Sequence, residues 1–323
     1  MAVTTSAPGK MVLFGDHAAV YGEPCLVTTV DLRFSVTIDV HDEAVVEIST
    51  PDLRARNETH RVSLTELRKD NRRDTAFVEA ALQQVFQHCS PTPGMKITTD
   101  GPRITYGLGS SSAITAATIA AAAHTLGLRL SQRDIFDLAY AAVIEVQGTG
   151  SGVDLAAAIY GGTVYYVNRG EIIEQLAAGD LPLVIGYSGA KVSTTNLIAH
   201  VAALRERQPR YIKPLLKMLG EISTDARDAI IRADWPTLGE LADIHQGILD
   251  AFGVNTPQLA NLIFAARGAG ALGAKLSGAG GGDCMFALTA PENQHHIEQS
   301  IEQAGGLVVR ARSSVDGVRV DSP

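Results

Sequence analysis

Three stretches of the chain concentrate glycine, the first two with hydroxyl or acidic side chains: Gly107-Leu108-Gly109-Ser110-Ser111-Ser112, residues 148–154, and Gly278-Ala279-Gly280-Gly281-Gly282. The first is the most informative. Glycine lets a backbone turn tightly and approach a ligand closely. The serines then place hydroxyls and amides at the first turn of an alanine-rich helix expected over 113–126. The first N–H groups of a helix lack intrahelical partners and the helix dipole is positive there, which suits an anion such as a phosphate. An ordinary loop with a serine N-cap fits these residues equally well. The third stretch is too dense in glycine for core packing to explain it. A close approach of its backbone to another group is the better account. Common nucleotide motifs are missing. The only Gly-Lys pair, Gly9-Lys10, has Thr4 where a phosphate-binding loop needs glycine, and no G-x-G-x-x-G fingerprint follows a strand.

Regular elements must hold these loops in place. Residues 10–14 read as a short strand, and Phe34, Val36, Ile38 and Val40 alternate as in a half-buried one. Residues 52–73 are charged and read as an exposed excursion. Helical spacing follows over 75–88, a strand over 95–99, and a helix over 131–146 with Ser131 as N-cap. Residues 148–152 form a turn before a small-residue helix, and 163–167 alternate as a strand. A polar break at 177–180 divides the chain into domains 1–178 and 179–323. The second half opens on a buried strand (181–187) and continues as helices over 194–207, 212–233, 236–252 and 258–269. It ends in two short strands around Asp316-Gly317. Helices and strands mix without regular βαβ alternation, so the fold class is α+β.

Composition bounds the function. The 323 residues suit two domains, and 46% hydrophobic with 19% charged residues is a globular balance. The formal net charge of −8 opposes general binding to nucleic acid, so a phosphate site must be built locally from amides, a metal or a few cations. Cys25, Cys89 and Cys284 are too few and too far apart for a disulfide framework or zinc cluster, and read as free thiols. The first residues lack the basic-then-apolar pattern of a signal peptide. The most apolar stretch, 113–128, is shorter than the roughly 20 residues a membrane span needs. The expectation is a cytoplasmic protein with no membrane association.

Motifs in order carry a resemblance. Ala7-Pro8-Gly9-Lys10 with Gly15-Asp16-His17-Ala18-Ala19-Val20-Tyr21-Gly22 resembles the first motif of the GHMP kinases. Gly107 to Ala113 resembles their phosphate loop, and Lys275-Leu276-Ser277-Gly278-Ala279-Gly280-Gly281-Gly282 their third motif. The resemblance implies a ribosomal-protein-like N-terminal domain and a ferredoxin-like C-terminal domain, with ATP and Mg2+ between them. It implies that Gly107, Leu108, Gly109, Ser110, Ser111 and Ser112, with Gly278, Ala279 and Gly280, hold the nucleotide, and that Ser111 is a metal ligand. Asp154, in Gly150-Ser151-Gly152-Val153-Asp154, matches the family's catalytic aspartate, with Lys10 neutralising charge beside it; read alone, Asp154 is equally a helix N-cap. Glu145 is the nearest acid for a second metal contact, or else a solvated helix position.

Within the family, motif one and the last residues look most like the mevalonate kinase branch. Lys10, Asp16, His17, Asp154, Thr194 and Thr195 then match substrate-contacting positions, although His17 could be a structural histidine. The 5-hydroxyl of mevalonate is the implied acceptor. Thr105-Tyr106-Gly107-Leu108-Gly109-Ser110-Ser111, Val146-Gln147-Gly148 to Asp154, and Gly280-Gly281-Gly282-Asp283-Cys284 are instead similar to bacterial phosphomevalonate kinases. A 3-kinase and a non-catalytic regulator are further alternatives, the last opposed by the presence of both Lys10 and Asp154. A phosphorylated acceptor would need extra cations, for which Arg33, Arg103 and Lys191 are the candidates beside Lys10. The family is often dimeric, but no stripe in this sequence demands a homodimer.

Overall fold

The run Met11-Val12-Leu13-Phe14 is apolar without alternation, the mark of a strand buried on both faces. It ends β1 (Val3–Phe14), which runs along β2 (Cys25–His41). Met11, Leu13 and Phe14 join one hydrophobic core, and Val12 joins the other. The computed structural model describes residues 2–67, 74–89, 92–102, 107–190 and 194–322. The N-terminal half continues with β3 (Val45–Ser49), β4 (His60–Ser63), β5 (Gly94–Asp100), β6 (Thr163–Val167) and β7 (Ile172–Leu176). β2 is long enough to change partner on one side, pairing with β6 near its start and β5 near its end. Among the described residues only β3 and β5 pair in parallel.

Helices cover this sheet: α1 (Pro51–Ala55), α2 (Ala76–Phe86), α3 (Ser110–Thr125), α4 (Gln132–Gln147) and α5 (Val153–Tyr160). The alanines of α3 let its backbone lie close to the sheet, where Thr5 Oγ1 on β1 donates to Ala117 O at 2.7 Å. Ser131 caps α4 as expected, in a reciprocal box with Asp134.

The second half contains α6 (Thr194–Arg207), α7 (Pro209–Ile231), α8 (Trp235–Ala251), α9 (Pro257–Gly268) and α10 (Gln294–Gln303). Its strands are β8 (Leu183–Tyr187), β9 (Gly273–Leu276), β10 (Cys284–Leu288) and β11 (Leu307–Val309). The order β11-β8-β10-β9 is antiparallel throughout and has the ferredoxin-like arrangement that was expected.

The expected break at 177–180 lies between β7 and β8. The two short strands at the end form, but in separate sheets. β11 edges the second sheet, and β12 (Arg319–Ser322) crosses back to pair with β1. α1, β4, β7, β9, β10 and α10 have no counterpart in the sequence reading; α1 and β4 fall largely in the stretch read as an exposed excursion, where Leu53, His60 and Val62 are buried. Among the described residues, no helix is long and apolar enough to cross a membrane.

Candidate active site

Lys10 reaches the site because β1 passes beneath the first glycine loop. Its N–H donates to Leu108 O at 2.9 Å. Its side chain then lies below Gly109, the residue that starts α3 at φ 81°. A Cβ at Gly109 would fall 2.9 Å from Lys10 Cγ and 3.0 Å from Cε. Gly109 is therefore required twice, for its backbone and for room. Gly109→Ala is expected to cost at least about 1–2 kcal/mol from the left-handed backbone alone, read as a lower thermal midpoint, and to raise KM for the nucleotide by displacing Lys10.

The Lys10 ammonium lies 3.3 Å from Asp154 Oδ1; its side chain is 9% exposed and that of Asp154 40%. Asp154 stands in the first turn of α5, launched by Gly152 at φ 85°. Both line a cavity of about 310 Å³, together with Ser110, Ser111 and Ser112 from the start of α3. The first intrahelical bond of α3 runs from Ala113 N–H to Gly109 O, so the three serine amides precede it. Gly278 and Ala279 close the cavity from the second domain, and the exposed Thr194 and Thr195 at the start of α6 also line it. A second cavity of about 810 Å³, walled by Phe34, Phe77 and Arg54, shares Ser110 and Ser111 with the first. The site thus joins a large cleft to a smaller pocket across a helix N-terminus.

Asp16 and His17 line the same cavity and also hold the two domains together. Asp16 is fully buried, and both its oxygens accept hydrogen bonds within the protein. Oδ2 is 2.7 Å from Lys275 Nζ, and Oδ1 accepts from Gly278 N–H at 2.6 Å. The Lys275 ammonium also donates to Leu276 O at 2.6 Å and faces the rings of Phe286 and Phe14 at 5.2 and 5.9 Å. Burial pulls this amine below its ordinary value, and Asp16 opposes that shift. His245 completes the cluster: Gly15 N–H donates to its Nε2 at 2.9 Å, so the ring is neutral with its proton on Nδ1. Burial, and then Lys275, hold it well below the usual histidine range. His17 Nε2 donates to Ala279 O at 2.9 Å, and burial keeps the ring neutral too.

Motif one therefore fastens the third glycine stretch across the domain junction, while Asp16 and His17 also line the cavity where substrate contacts are expected of them. Lys275 and His245 were not assigned from sequence. Lys275 stands inside the third motif, but nothing near His245 signals a role.

Glu145 is also placed elsewhere. Val143 and Gln147 on α4 line the cavity, and two residues along a helix is about 200° around it. Glu145 is exposed on another face and accepts from Gln84 Nε2 at 3.3 Å. Arg33 is not in the cleft: its guanidinium donates to Ser6 Oγ and O and to the carbonyls of Asp316 and Gly317, all at 2.8 Å, pinning the last residues to β1. Arg103 and Lys191 lie outside the described residues, as do Thr105 and Tyr106. Cys25, Cys89 and Cys284 are free thiols, as expected.

A lysine–carboxylate pair beside a glycine-serine helix start, closed by a second glycine loop, is the apparatus of a phosphoryl-transfer site. Residues 76–162 match the family model described as GHMP kinases N terminal domain, and 226–306 that of GHMP kinases C terminal. The chain belongs to the GHMP kinases. It is 37% identical to the mevalonate kinase of Pyrococcus abyssi over 332 residues, covering 99% of this chain and 98% of that protein. It is 36% identical to the mevalonate kinase of Thermococcus sibiricus, covering 99% of each. Its fold superposes on the crystal structure of Methanococcus jannaschii mevalonate kinase with a TM-score of 0.80 at 25% identity, covering 97% of this chain and 98% of that one.

Proposed function

We propose that the chain transfers the γ-phosphoryl group of ATP to the 5-hydroxyl of mevalonate. The observation that carries the chemistry is the Lys10–Asp154 pair, 3.3 Å apart in a cavity floored by the start of α3. The larger cavity suits the nucleoside, with Phe34 and Phe77 for its base. The triphosphate then reaches the amides of Ser110, Ser111 and Ser112. Gly278, Ala279 and Gly280 approach it from the other domain. The acceptor occupies the smaller cavity, beneath Thr194 and Thr195.

In this arrangement the acceptor oxygen attacks the γ-phosphorus as the bond to the ADP oxygen breaks. Asp154 accepts the hydroxyl proton, and Lys10 offsets negative charge beside it. Most of the acceleration in such a transfer comes from positioning and charge stabilisation. Mg2+ fits the donor set: Ser111 lines the cavity at the start of α3, and Mg2+ characteristically uses few protein ligands with substrate phosphates and water. Ser111 would supply its hydroxyl, and the ion would neutralise the phosphates. Glu145, on another face of α4, is not positioned to join it.

The charge of the smaller cavity favours mevalonate over its phosphorylated derivative. Among the described residues lining it, Lys10 is the only lysine or arginine. A second phosphate would meet no further lysine or arginine among those described residues. The relatives named above, similar over nearly the whole chain, point the same way. ADP release measured with mevalonate and with 5-phosphomevalonate tests the assignment. Turnover is expected with mevalonate; turnover with the phosphorylated compound alone overturns it. We further propose a cytoplasmic location, consistent with the free thiols; whether the chain forms a homodimer does not enter the mechanism.

A further inference from the structure

The turn that launches Asp154 is held from below by aromatic side chains that no motif includes. Tyr166, on β6 and fully buried, donates from its hydroxyl to Ser151 O at 2.5 Å. Tyr140, on α4, donates to Gly150 O at 3.0 Å. The two phenols thus fix consecutive carbonyls just before Gly152. Phe136 stacks on Tyr140, with ring centroids 6.0 Å apart and planes 6° from parallel, and lies 6.3 Å from Tyr166. Arg133 packs over the outer face of Phe136 at 5.3 Å and donates to Gly170 O at 2.5 Å. The platform presses directly on the turn. A Cβ at Gly152 would fall 2.5 Å from Tyr166 Oη, 3.2 Å from Tyr140 Cδ2 and 3.3 Å from Phe136 Cζ.

We infer that Tyr166 and Tyr140 are positioning residues for the phosphoryl transfer, acting through the 150–152 turn to hold the Asp154 carboxylate against Lys10 and towards the acceptor oxygen. The inference rests on Asp154 acting as proposed above. Its physical basis is the geometry of the turn. Asp154 lies two residues beyond Gly152, and its side chain is 40% exposed, so among the described residues it is only partly enclosed. Its placement depends on where α5 begins. Gly152 imposes no preferred backbone angles of its own. The two hydroxyl-to-carbonyl bonds supply what glycine leaves undetermined, one from the sheet and one from a helix. Burial pushes the Tyr166 hydroxyl well above its ordinary value, so it remains a donor throughout the working pH range. A shift of about 1 Å in a catalytic group can cost about 100-fold in rate, and loss of one of two anchors should cost a part of that.

The test is Tyr166→Phe and Tyr140→Phe, alone and together, each also combined with Asp154→Asn. Both substitutions remove only a hydroxyl and keep the stacked rings. Tyr166→Phe is expected to lower kcat about tenfold, with KM for ATP within about twofold of wild type. Tyr140→Phe should do the same to a smaller degree. In the Asp154→Asn background neither should lower the residual rate further. A fall in thermal midpoint with kcat unchanged would show a merely structural role and overturn the inference. So would losses in kcat that multiply fully with that of Asp154→Asn. Failure of the underlying assignment has a separate signature: Asp154→Asn alone would then retain wild-type turnover.

Discussion

Asp154→Asn is expected to lower kcat by at least about 100-fold while leaving the fold intact, the range a positioned proton acceptor contributes. The amide has the size of the carboxylate but carries no charge and cannot take the proton of the attacking hydroxyl. Its neighbour also changes state. Lys10 is 9% exposed and 3.3 Å from Asp154 Oδ1, so the substitution removes the carboxylate charge paired with it. KM for ATP should change little, because the triphosphate is assigned to amides at the start of α3. The measurement is ADP release under saturating ATP and mevalonate. Turnover near wild type would remove Asp154 from the chemistry and return it to the role of a helix-starting residue.

Lys275→Met is expected to be the most destabilising single change at the domain junction. The side chain is fully buried, and its ammonium bonds Asp16 at 2.7 Å and Leu276 O at 2.6 Å. Methionine fits the volume beside Phe14 and Phe286 but leaves the Asp16 carboxylate buried beside Gly278 N–H alone. Breaking a buried pair on one side costs about 3–5 kcal/mol, because the surviving charge is uncompensated. The midpoint of urea unfolding reads this directly. Asp16→Asn with Lys275→Met removes both charges and should recover part of the loss. If the single variant is as stable as wild type, the pair does not hold the junction. Because Gly278 is bonded to Asp16, surviving Lys275→Met enzyme should also show a raised KM for ATP.

The glycine loops and the Lys10–Asp154 chemistry were legible in the sequence for local reasons. Gly109 and Gly152 stand at left-handed backbone positions next to helix starts, a requirement that shows wherever glycine is placed. The elements around them were also legible, because the capping residue Ser131 and the apolar periods of α2, α4 and β6 act within one turn or one strand. The role of Asp16 was not. Its type and place in motif one suit the cavity it lines, and only its meeting with a lysine 259 positions away makes it a strut as well. Glu145 fails for a different reason. Its distance in sequence from Asp154 is right for a shared site, but its angle around α4 is wrong. Arg33 likewise supplies a charge of the right sign and spends it on the last residues of the chain.

By itself, the sequence determined which backbone segments can approach a phosphate, which residues can move a proton, and the α+β class that carries them. Those properties depend on residue type and short spacing. Tertiary structure decided which charges face the cavity and which are buried as struts. It also set the anchors Tyr140 and Tyr166 beneath the catalytic turn and returned β12 to the first sheet. These outcomes depend on contacts between residues far apart in the chain, where burial and pairing, not local preference, select the partner.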